Sequence, residues 1–416
     1  MTALAGEEEA ARTDHFPGGR VVTGCFIVLA VSSGLSFYGL AVYLNAFSKE
    51  RGWSLASISL ATTLFFIIGG VVGLWIARVI ARRDVRAVLV FGGVLGALAL
   101  AVLGQVQERW QLYAVYAVFA VGFSAAGLIP VTTVVTRWYH LRRSVALSVA
   151  STGLSVGGIV LTPVAKWLID RNGLEATTPV LGVIWVVGIV PFALWLVRPS
   201  PEALGWRPDG VRVRADVAAV APTGTPYRDA VRTRFYRCVT AGYVLLLGAQ
   251  VGGIQQLVKL TEERTSAEAA TYATIALASM SVAARLAGGR LITRAPMAKV
   301  TVVLGVVQAA SLAWLAFASS VVPLFTAILV FGATVGNILM LQPLLVAERF
   351  GVLDYPRIFS RSQFLTMLGT AGGPLLLGWL YDNAGGYQTS YLVAGACSLT
   401  GALVLSAGGP ATVRRS

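Results

Sequence analysis

Long apolar segments recur along almost the whole of this chain, and each is long enough to cross a lipid bilayer. The hydrocarbon core of a bilayer is about 30 Å thick, so a spanning helix needs roughly 20 apolar residues. Windows of that length predict twelve spanning helices, at residues 21–47, 55–79, 86–105, 111–136, 144–168, 178–198, 236–259, 267–288, 299–318, 321–346, 359–381 and 388–408. Because helices satisfy their backbone hydrogen bonds internally, the pattern predicts an all-α polytopic membrane protein.

The composition rules out a water-soluble protein of this length. Charged residues make up 12% of the 416 residues and hydrophobic residues 56%, whereas a soluble domain carries about 25% charged residues. The first sixteen residues are acidic, and no cleavage motif follows a short apolar core. We therefore expect no signal peptide.

The residue types that catalysis requires are scarce. The two histidines, His15 and His140, lie outside the apolar segments, and the three cysteines form no CxxC pair and no metal-ligand spacing with them. The sequence contains no phosphate-binding loop, no zinc-protease motif and no paired carboxylates within a segment. We expect neither an enzyme nor a bound metal or other cofactor, and no direct use of ATP.

The charges predict the orientation. With both termini in the cytoplasm, 26 of the 33 Lys and Arg residues fall on the inner side and 7 on the outer side. This is the asymmetry of the positive-inside rule. Because these cations set topology and meet anionic lipid, the basic charge does not call for nucleic acid. We expect an integral protein of the plasma (inner) membrane that functions as a monomer.

One long polar stretch divides the predicted helices into six and six. Residues 199–235 are rich in Pro, Arg and small residues, which is typical of a linker between two bundles. The predicted organisation is a cytoplasmic tail (1–20), a six-helix bundle (21–198), a cytoplasmic linker (199–235), a second six-helix bundle (236–409) and a cytoplasmic tail (410–416).

Arg285 is a charged residue within an apolar segment. A charge at the centre of a membrane helix costs about 2.5–3.5 kcal/mol on insertion scales, so such residues usually serve ions or substrates. The guanidinium is a fixed cation with five N–H donors and suits a planar carboxylate. The alternative is that Arg285, near its helix end, extends to the membrane surface.

Two passages repeat between the halves. Residues 73–78 (GLWIAR) and 289–294 (GRLITR) each have a Gly, an Ile three residues later and an Arg five residues later, and we expect each to follow a membrane helix. Two six-helix halves related by a parallel repeat describe the major facilitator architecture.

The chain resembles a major facilitator superfamily transporter, most like the monocarboxylate and oxalate/formate branch. Four passages carry the resemblance: YGLAVYLNAF at 38–47 with ERGWS at 50–54, RWY at 137–139 with RRSVALSVASTG at 142–153, Arg285 with Gly289, and GPLLLGWLYDNAGGY at 373–387. The resemblance implies that Arg285 binds a substrate carboxylate. It also implies that Gly73, Arg78, Gly289 and Arg294 belong to the gating loops.

Three departures from the family pattern bear on mechanism. Ala77 and Thr293 stand where the loop motif has Asp, so the gate should lack its aspartate salt bridge. Ser281 stands where animal monocarboxylate transporters have an Asp one turn before the arginine. Residues 365–368 lack the Lys of oxalate transporters, which favours an anion with a single charge.

Few other polar residues lie within the predicted helices. As further substrate-binding candidates we take Tyr38, Asn45, Tyr116, Gln250, Asn337 and Gln363. Tyr116, Phe119 and Phe123 form a stripe at i, i+3 and i+7. The alternative for the polar residues is hydrogen bonding between helices, and for the aromatic residues ordinary packing.

These observations predict a secondary active transporter of a small organic anion, such as a short-chain or hydroxy monocarboxylate. No Asp or Glu lies well inside a predicted span. Moving one anion inward costs about 2.3 kcal/mol per 100 mV, so uptake needs a proton or a counter-anion. The alternatives are an exporter of an amphipathic metabolite or drug, and a membrane sensor that does not transport.

Overall fold

The computed structural model describes residues 16–53, 55–210, 223–291, 295–384 and 386–411. Over these residues the chain forms fourteen α-helices: α1 (Gly18–Leu35), α2 (Gly39–Arg51), α3 (Leu55–Ile80), α4 (Val85–Leu103), α5 (Arg109–Ala125), α6 (Leu128–Trp138), α7 (Arg143–Trp195), α8 (Tyr227–Ala230), α9 (Arg234–Arg264), α10 (Ala267–Leu291), α11 (Met297–Phe317), α12 (Val321–Phe350), α13 (Tyr355–Asn383) and α14 (Gly386–Ser406). Two single 3₁₀ turns follow α7, at Glu202–Leu204 and Pro208–Gly210.

These helices account for the twelve predicted spans. Ten stretches of the described residues are long and apolar enough to cross a membrane, and Ile275–Gly288 within α10 is a shorter apolar helix. The stretch formed by α7 contains two spans, because the chain turns at Gly173, where φ is 79°. A side chain at this φ would be strained, so glycine is required there.

Two predicted spans are interrupted rather than continuous. The first consists of α1 and α2, with a break at residues 36–38. There the Tyr43 hydroxyl donates to the Leu35 carbonyl over 2.8 Å, which satisfies an acceptor at the end of α1. The fourth consists of α5 and α6, separated at Gly127. Pro130 lies in the first turn of α6, where its missing N–H costs nothing.

One sequence prediction about the repeat is wrong. Residues 73–78 do not follow the second span but form part of α3, which continues to Ile80. Apolar residues 76, 77 and 80 remain buried there, so packing extends the helix past the motif. In the other half α10 continues to Leu291, and residues 292–294 lie outside the described residues.

Close helix crossings hold each bundle together. Gly157 of α7 lies against the Ala30 carbonyl of α1, and Gly373 of α13 lies against the Gly248 carbonyl of α9. A Cβ atom at either glycine would collide with that carbonyl. Since lipid tails are as apolar as side chains, helices associate in membranes by such close packing of small residues.

The segments on either side of residues 211–222 lie against one end of the molecule, which we call the linker end. The Asp209 carboxylate accepts the backbone N–H groups of residues 140, 141 and 142 at 3.0, 2.7 and 3.2 Å. The Asp354 carboxylate accepts the Tyr227 N–H at 2.8 Å, and the Thr225 N–H donates to the Phe350 carbonyl at 2.8 Å. One side of the linker is therefore attached to each bundle.

Candidate functional site

A cavity of about 580 Å³ lies between the two bundles. Its walls come from the α1–α2 break, α3, the end of α5, the start of α6 and α7 on one side, and from α9, α10, α12 and α13 on the other. Among the described residues that line it, Arg285 is the only charged one. The cavity is therefore an apolar chamber with a single fixed cation.

Arg285 lies in the wall of this cavity and is only 2% exposed. Its Nε–H donates to the Gly336 carbonyl of α12 at 3.0 Å, and an Nη1–H donates to the Ser151 carbonyl of α7 at 2.5 Å. The Ser148 hydroxyl donates to the Arg285 carbonyl. The side chain therefore joins α10 to its neighbour in one bundle and to α7 of the other bundle.

The charge of Arg285 has no acidic partner among the described residues. Their ion pairs, such as Lys166–Asp170 and Arg86–Asp84, lie elsewhere. Carbonyl oxygens of described residues accept two of the five guanidinium N–H groups. A buried cation without a counter-charge is costly, and an anion in the cavity would supply that charge.

Tyr38 lies in the break between α1 and α2 and lines the same cavity. Tyr38 is 39% exposed, and Arg285 lies in the wall of the same cavity. A Cβ atom at Gly158 of α7 would lie 2.7 Å from the ring, so the absence of a side chain there makes room for it. The helix break and Gly158 together place Tyr38.

Gln250 of α9 and Gln363 of α13 also line the cavity. The Oε1 atoms of both are buried, and neither has a hydrogen-bond partner among the described residues. A buried acceptor that stays unpaired costs about 1–3 kcal/mol. An O–H or N–H donor of a bound molecule that reached either oxygen would remove this cost.

The remaining sequence candidates lie elsewhere. Tyr116 is fully buried behind Phe65, with 6.3 Å between the ring centroids, and is absent from the described lining of the cavity. Asn337 donates to the Ala284 carbonyl of α10 at 3.0 Å, which is the interhelical bonding alternative, and to the Ala333 carbonyl of its own helix at 3.1 Å. The side chain of Asn45 lies outside the described residues.

Sequence reasoning missed part of the lining. Ser281 lies one turn before Arg285, lines the cavity, and has a buried hydroxyl without a partner among the described residues. Phe65, Phe66 and Phe364 form apolar walls. Only the family comparison at position 281 pointed to Ser281, and nothing in the local pattern of the phenylalanines distinguished them from packing residues.

The bundles meet between the cavity and the linker end. At the cavity itself, a Cβ atom at Gly70 of α3 would lie 3.0 Å from the Phe364 ring of α13. Nearer the linker end, Arg143 at the start of α7 interacts electrostatically with Glu348 near the end of α12. We call this contact region the closed end. Glu348 is half-buried and lies two residues beyond the predicted span 321–346.

The residues predicted to belong to the gating loops lie at different positions in the part of the chain that the structure describes. Gly73 lines the cavity from within α3, and Arg78 is exposed two residues before the end of that helix. Gly289 lies in the last turn of α10, and Arg294 lies outside the described residues. The described structure brings Gly73 to the cavity but does not bring Arg78 to it.

Comparison with known proteins gives consistent matches. A sequence profile described as the Major Facilitator Superfamily matches residues 26–352. Monocarboxylate transporter 13 of Rattus norvegicus is 23% identical over 408 residues, which cover 95% of this chain and 90% of that protein. Monocarboxylate transporter 11 of Homo sapiens is 24% identical over 398 residues, which cover 92% and 80%.

Solved structures share the fold. A crystal structure of the E. coli fucose:proton symporter FucP has a TM-score of 0.71 and 17% identity, covering 94% of this chain and 98% of that chain. A crystal structure of the human organic anion transporter MFSD10 has a TM-score of 0.70 and 16% identity, covering 94% and 100%. The predicted architecture of twelve membrane helices in two bundles is confirmed.

Proposed function

This chain belongs to the Major Facilitator Superfamily, and we propose that it is a secondary transporter that moves an organic anion with one carboxylate by alternating access. The observation that carries this proposal is Arg285, a buried cation between the two bundles, in the wall of the cavity and without an acidic partner among the described residues. One fixed cation in an apolar chamber favours a substrate with one negative charge.

Binding begins with exchange of hydrogen bonds. The guanidinium can form two parallel N–H···O bonds with a carboxylate, a geometry that an ammonium group does not reproduce. The carboxylate brings the negative charge that the Ser151 and Gly336 carbonyls lack. Because the cavity is largely apolar, the charge pair is stronger there than in water.

The same exchange connects binding to movement. The bond from Arg285 to the Ser151 carbonyl joins the bundles, and so does the Ser148 hydroxyl bond to the Arg285 carbonyl. A carboxylate that takes over the Nη1 donor removes the first of these contacts. Substrate binding thereby weakens the closed end and favours the conformation in which the cavity opens there.

The energetics require a second ion. We propose that the linker end faces the cytoplasm, as the distribution of Lys and Arg indicates, in the plasma (inner) membrane. An anion entering against 100 mV then needs about 2.3 kcal/mol, which a co-transported proton or an exchanged anion supplies. We favour proton symport, with the proton carried by the bound substrate, over anion exchange.

A second candidate is an exporter of an amphipathic metabolite, which the apolar lining of the cavity favours. In that case the same chamber would bind its substrate chiefly through Phe65, Phe66 and Phe364. Arg285 would then only join the bundles. Replacement of Arg285 separates these candidates, because an exporter of this kind would keep its affinity for uncharged amphipathic compounds.

The test is counterflow of a labelled monocarboxylate in proteoliposomes, together with substrate-induced thermal shift. Arg285→Lys should lose most transport, because it keeps the charge and loses the fork, and Arg285→Ala should lose nearly all. Arg82→Lys and Arg82→Ala are matched controls at an exposed loop position and should transport like the parent. Unchanged counterflow and thermal shift in well-folded Arg285→Ala would remove the basis of the proposal.

A further inference from the structure

The volume of the cavity is large for a short-chain acid. At about 580 Å³ it falls within the range of about 300–1,000 Å³ typical of pockets that enclose drug-sized ligands. An acid of four to six heavy atoms bound to Arg285 would leave most of this space to water against apolar walls. The cavity therefore calls for a substrate with an apolar body.

Five of the described residues that line the cavity are phenylalanines. Phe37 and Phe66 have ring centroids 5.7 Å apart, and Phe65 lies 5.4 Å from both Phe66 and Phe123. Phe364 lines the cavity from the opposite bundle. Aromatic rings prefer edge-to-face or offset contacts at these spacings, so the walls suit a flat aromatic group better than a flexible alkyl chain.

The cavity offers a ligand two different kinds of polar group, a cation and hydrogen-bond acceptors. Arg285 is the cation for a carboxylate, whereas Gln250 and Gln363 present buried Oε1 atoms without partners among the described residues. An acceptor in that condition gains most from a ligand that carries an O–H or N–H donor. A ligand that matches the cavity therefore has a carboxylate for Arg285, an aromatic body, and a hydrogen-bond donor at a distance from the carboxylate.

We infer that the substrate is an arylalkanoate: a monocarboxylate whose aromatic ring packs against the phenylalanine walls and carries a hydrogen-bond donor for Gln250 or Gln363. This rests on the proposed function, since it uses Arg285 as the carboxylate site. It narrows the substrate class from small organic anions in general to aromatic acids.

The probes are propionate, 3-phenylpropionate and 3-(4-hydroxyphenyl)propionate, each tested by competition in counterflow and by thermal shift. We expect 3-phenylpropionate to bind at least about tenfold more tightly than propionate, since its ring is removed from water. The hydroxyl should improve affinity a further several-fold. Equal or better binding of propionate would overturn the inference and leave the proposed function standing.

Variants locate the effect. Phe66→Ala and Phe123→Ala should each weaken binding of 3-phenylpropionate about tenfold and that of propionate little. Phe91→Ala is the matched control, because Phe91 is 45% exposed and outside the described lining. At least one of the variants Gln250→Leu and Gln363→Leu should bind 3-(4-hydroxyphenyl)propionate no more tightly than 3-phenylpropionate. If both keep the preference for the hydroxyl, the assignment of the donor is refuted.

The two levels of the hypothesis fail differently. If no carboxylate of the three binds the parent protein, or if Arg285→Ala binds all three as the parent does, the proposed function fails. If carboxylates bind through Arg285 but the aromatic acids show no advantage, only the arylalkanoate inference fails. Thermal stability of each variant without ligand distinguishes loss of binding from loss of folding.

Discussion

Replacement of Gly158 by alanine tests whether Tyr38 belongs to the site, without touching the tyrosine itself. A Cβ atom at this position would lie 2.7 Å from Cδ2, 2.8 Å from Cε2 and 2.9 Å from Cγ of the Tyr38 ring. The three atoms nearest to the added methyl group therefore all belong to one side chain, and that side chain lines the cavity. The perturbation acts on the position of the ring.

The magnitude follows from these distances. Carbon atoms in ordinary contact are about 3.5–4.0 Å apart, so the ring must retreat by about 1 Å. Overpacking costs about 1–3 kcal/mol, and alanine in a helix recovers about 0.5–1 kcal/mol relative to glycine. Because Tyr38 is 39% exposed and lines the cavity, its ring can move into that space, and we expect a net loss of about 1 kcal/mol in stability. Displacement of the hydroxyl by the same distance should weaken substrate binding about tenfold, which is 1.4 kcal/mol.

The assay is counterflow with substrate-induced thermal shift, and the chain offers two glycine controls. Gly372→Ala should behave like the parent, because a Cβ atom there would have no neighbour within 4 Å. Gly157→Ala should fail to fold, because its Cβ atom would collide with the backbone carbonyl of Ala30 rather than with a movable side chain. The two controls bracket the expected effect of Gly158→Ala.

A double variant identifies the cause. If the alanine acts by moving the ring, Tyr38→Leu/Gly158→Ala should bind substrate no more weakly than Tyr38→Leu alone. Parent-like affinity in Gly158→Ala would refute the reasoning, since it would mean that a 1 Å shift of Tyr38 does not matter to binding. Additive losses in the double variant would show that Gly158 acts by another route.

Two further predictions concern the closed end and the orientation. Glu348→Gln removes the negative charge near Arg143 and should loosen the closed end. A cysteine at Ser155, in a background lacking Cys25, Cys238 and Cys397, should then react faster with an impermeant thiol reagent applied from the linker end. Unchanged reactivity would show that the charge does not help to close that end. In intact cells, Glu202→Cys in the same background should resist the reagent while Ser319→Cys, between α11 and α12, reacts; the reverse result would invert the proposed orientation.

The fold was predictable because its determinants are local. Segment length and hydropathy indicate a bilayer span wherever they occur, and both the twelve spans and the superfamily resemblance are confirmed. The breaks at residues 36–38 and at Gly127 were missed, because a helix break depends on hydrogen bonds that hydropathy does not report, such as the bond from the Tyr43 hydroxyl to the Leu35 carbonyl. A hydropathy window contains no information about such partners.

The site was only partly predictable, for a similar reason. Arg285, Tyr38, Gln250 and Gln363 could be selected as polar residues in apolar surroundings, and the structure places all four in one cavity. Asn337 meets the same criterion, yet its amide lies against Gly288 of α10 and bonds to that helix. Polarity identifies a residue that needs a partner, whereas only packing determines whether that partner is a helix or a ligand.

The aromatic stripe of α5 shows that residues on the same face of a helix can have different surroundings. Tyr116, Phe119 and Phe123 share a helix face, but the first two are buried inside the bundle while Phe123 lines the cavity. The helix ends two residues after Phe123, at the break before Gly127, where the bundle opens toward the cavity. Position along the axis, and not the face alone, decides which ring is available to a substrate.

The glycines of α7 combine rigidity and function over two adjacent positions. Gly153 and Gly157 lie against carbonyls of α1, and Gly369 and Gly373 lie in the same way against carbonyls of α9, each pair four residues apart. Because backbone contacts of this kind cannot be adjusted by a rotamer change, each bundle should move as one body. Gly158 is one residue further along α7 and so faces away from the crossing, where its missing side chain accommodates Tyr38. Helical geometry thus allows neighbouring glycines to fix the bundle that moves and to shape the cavity that its movement opens.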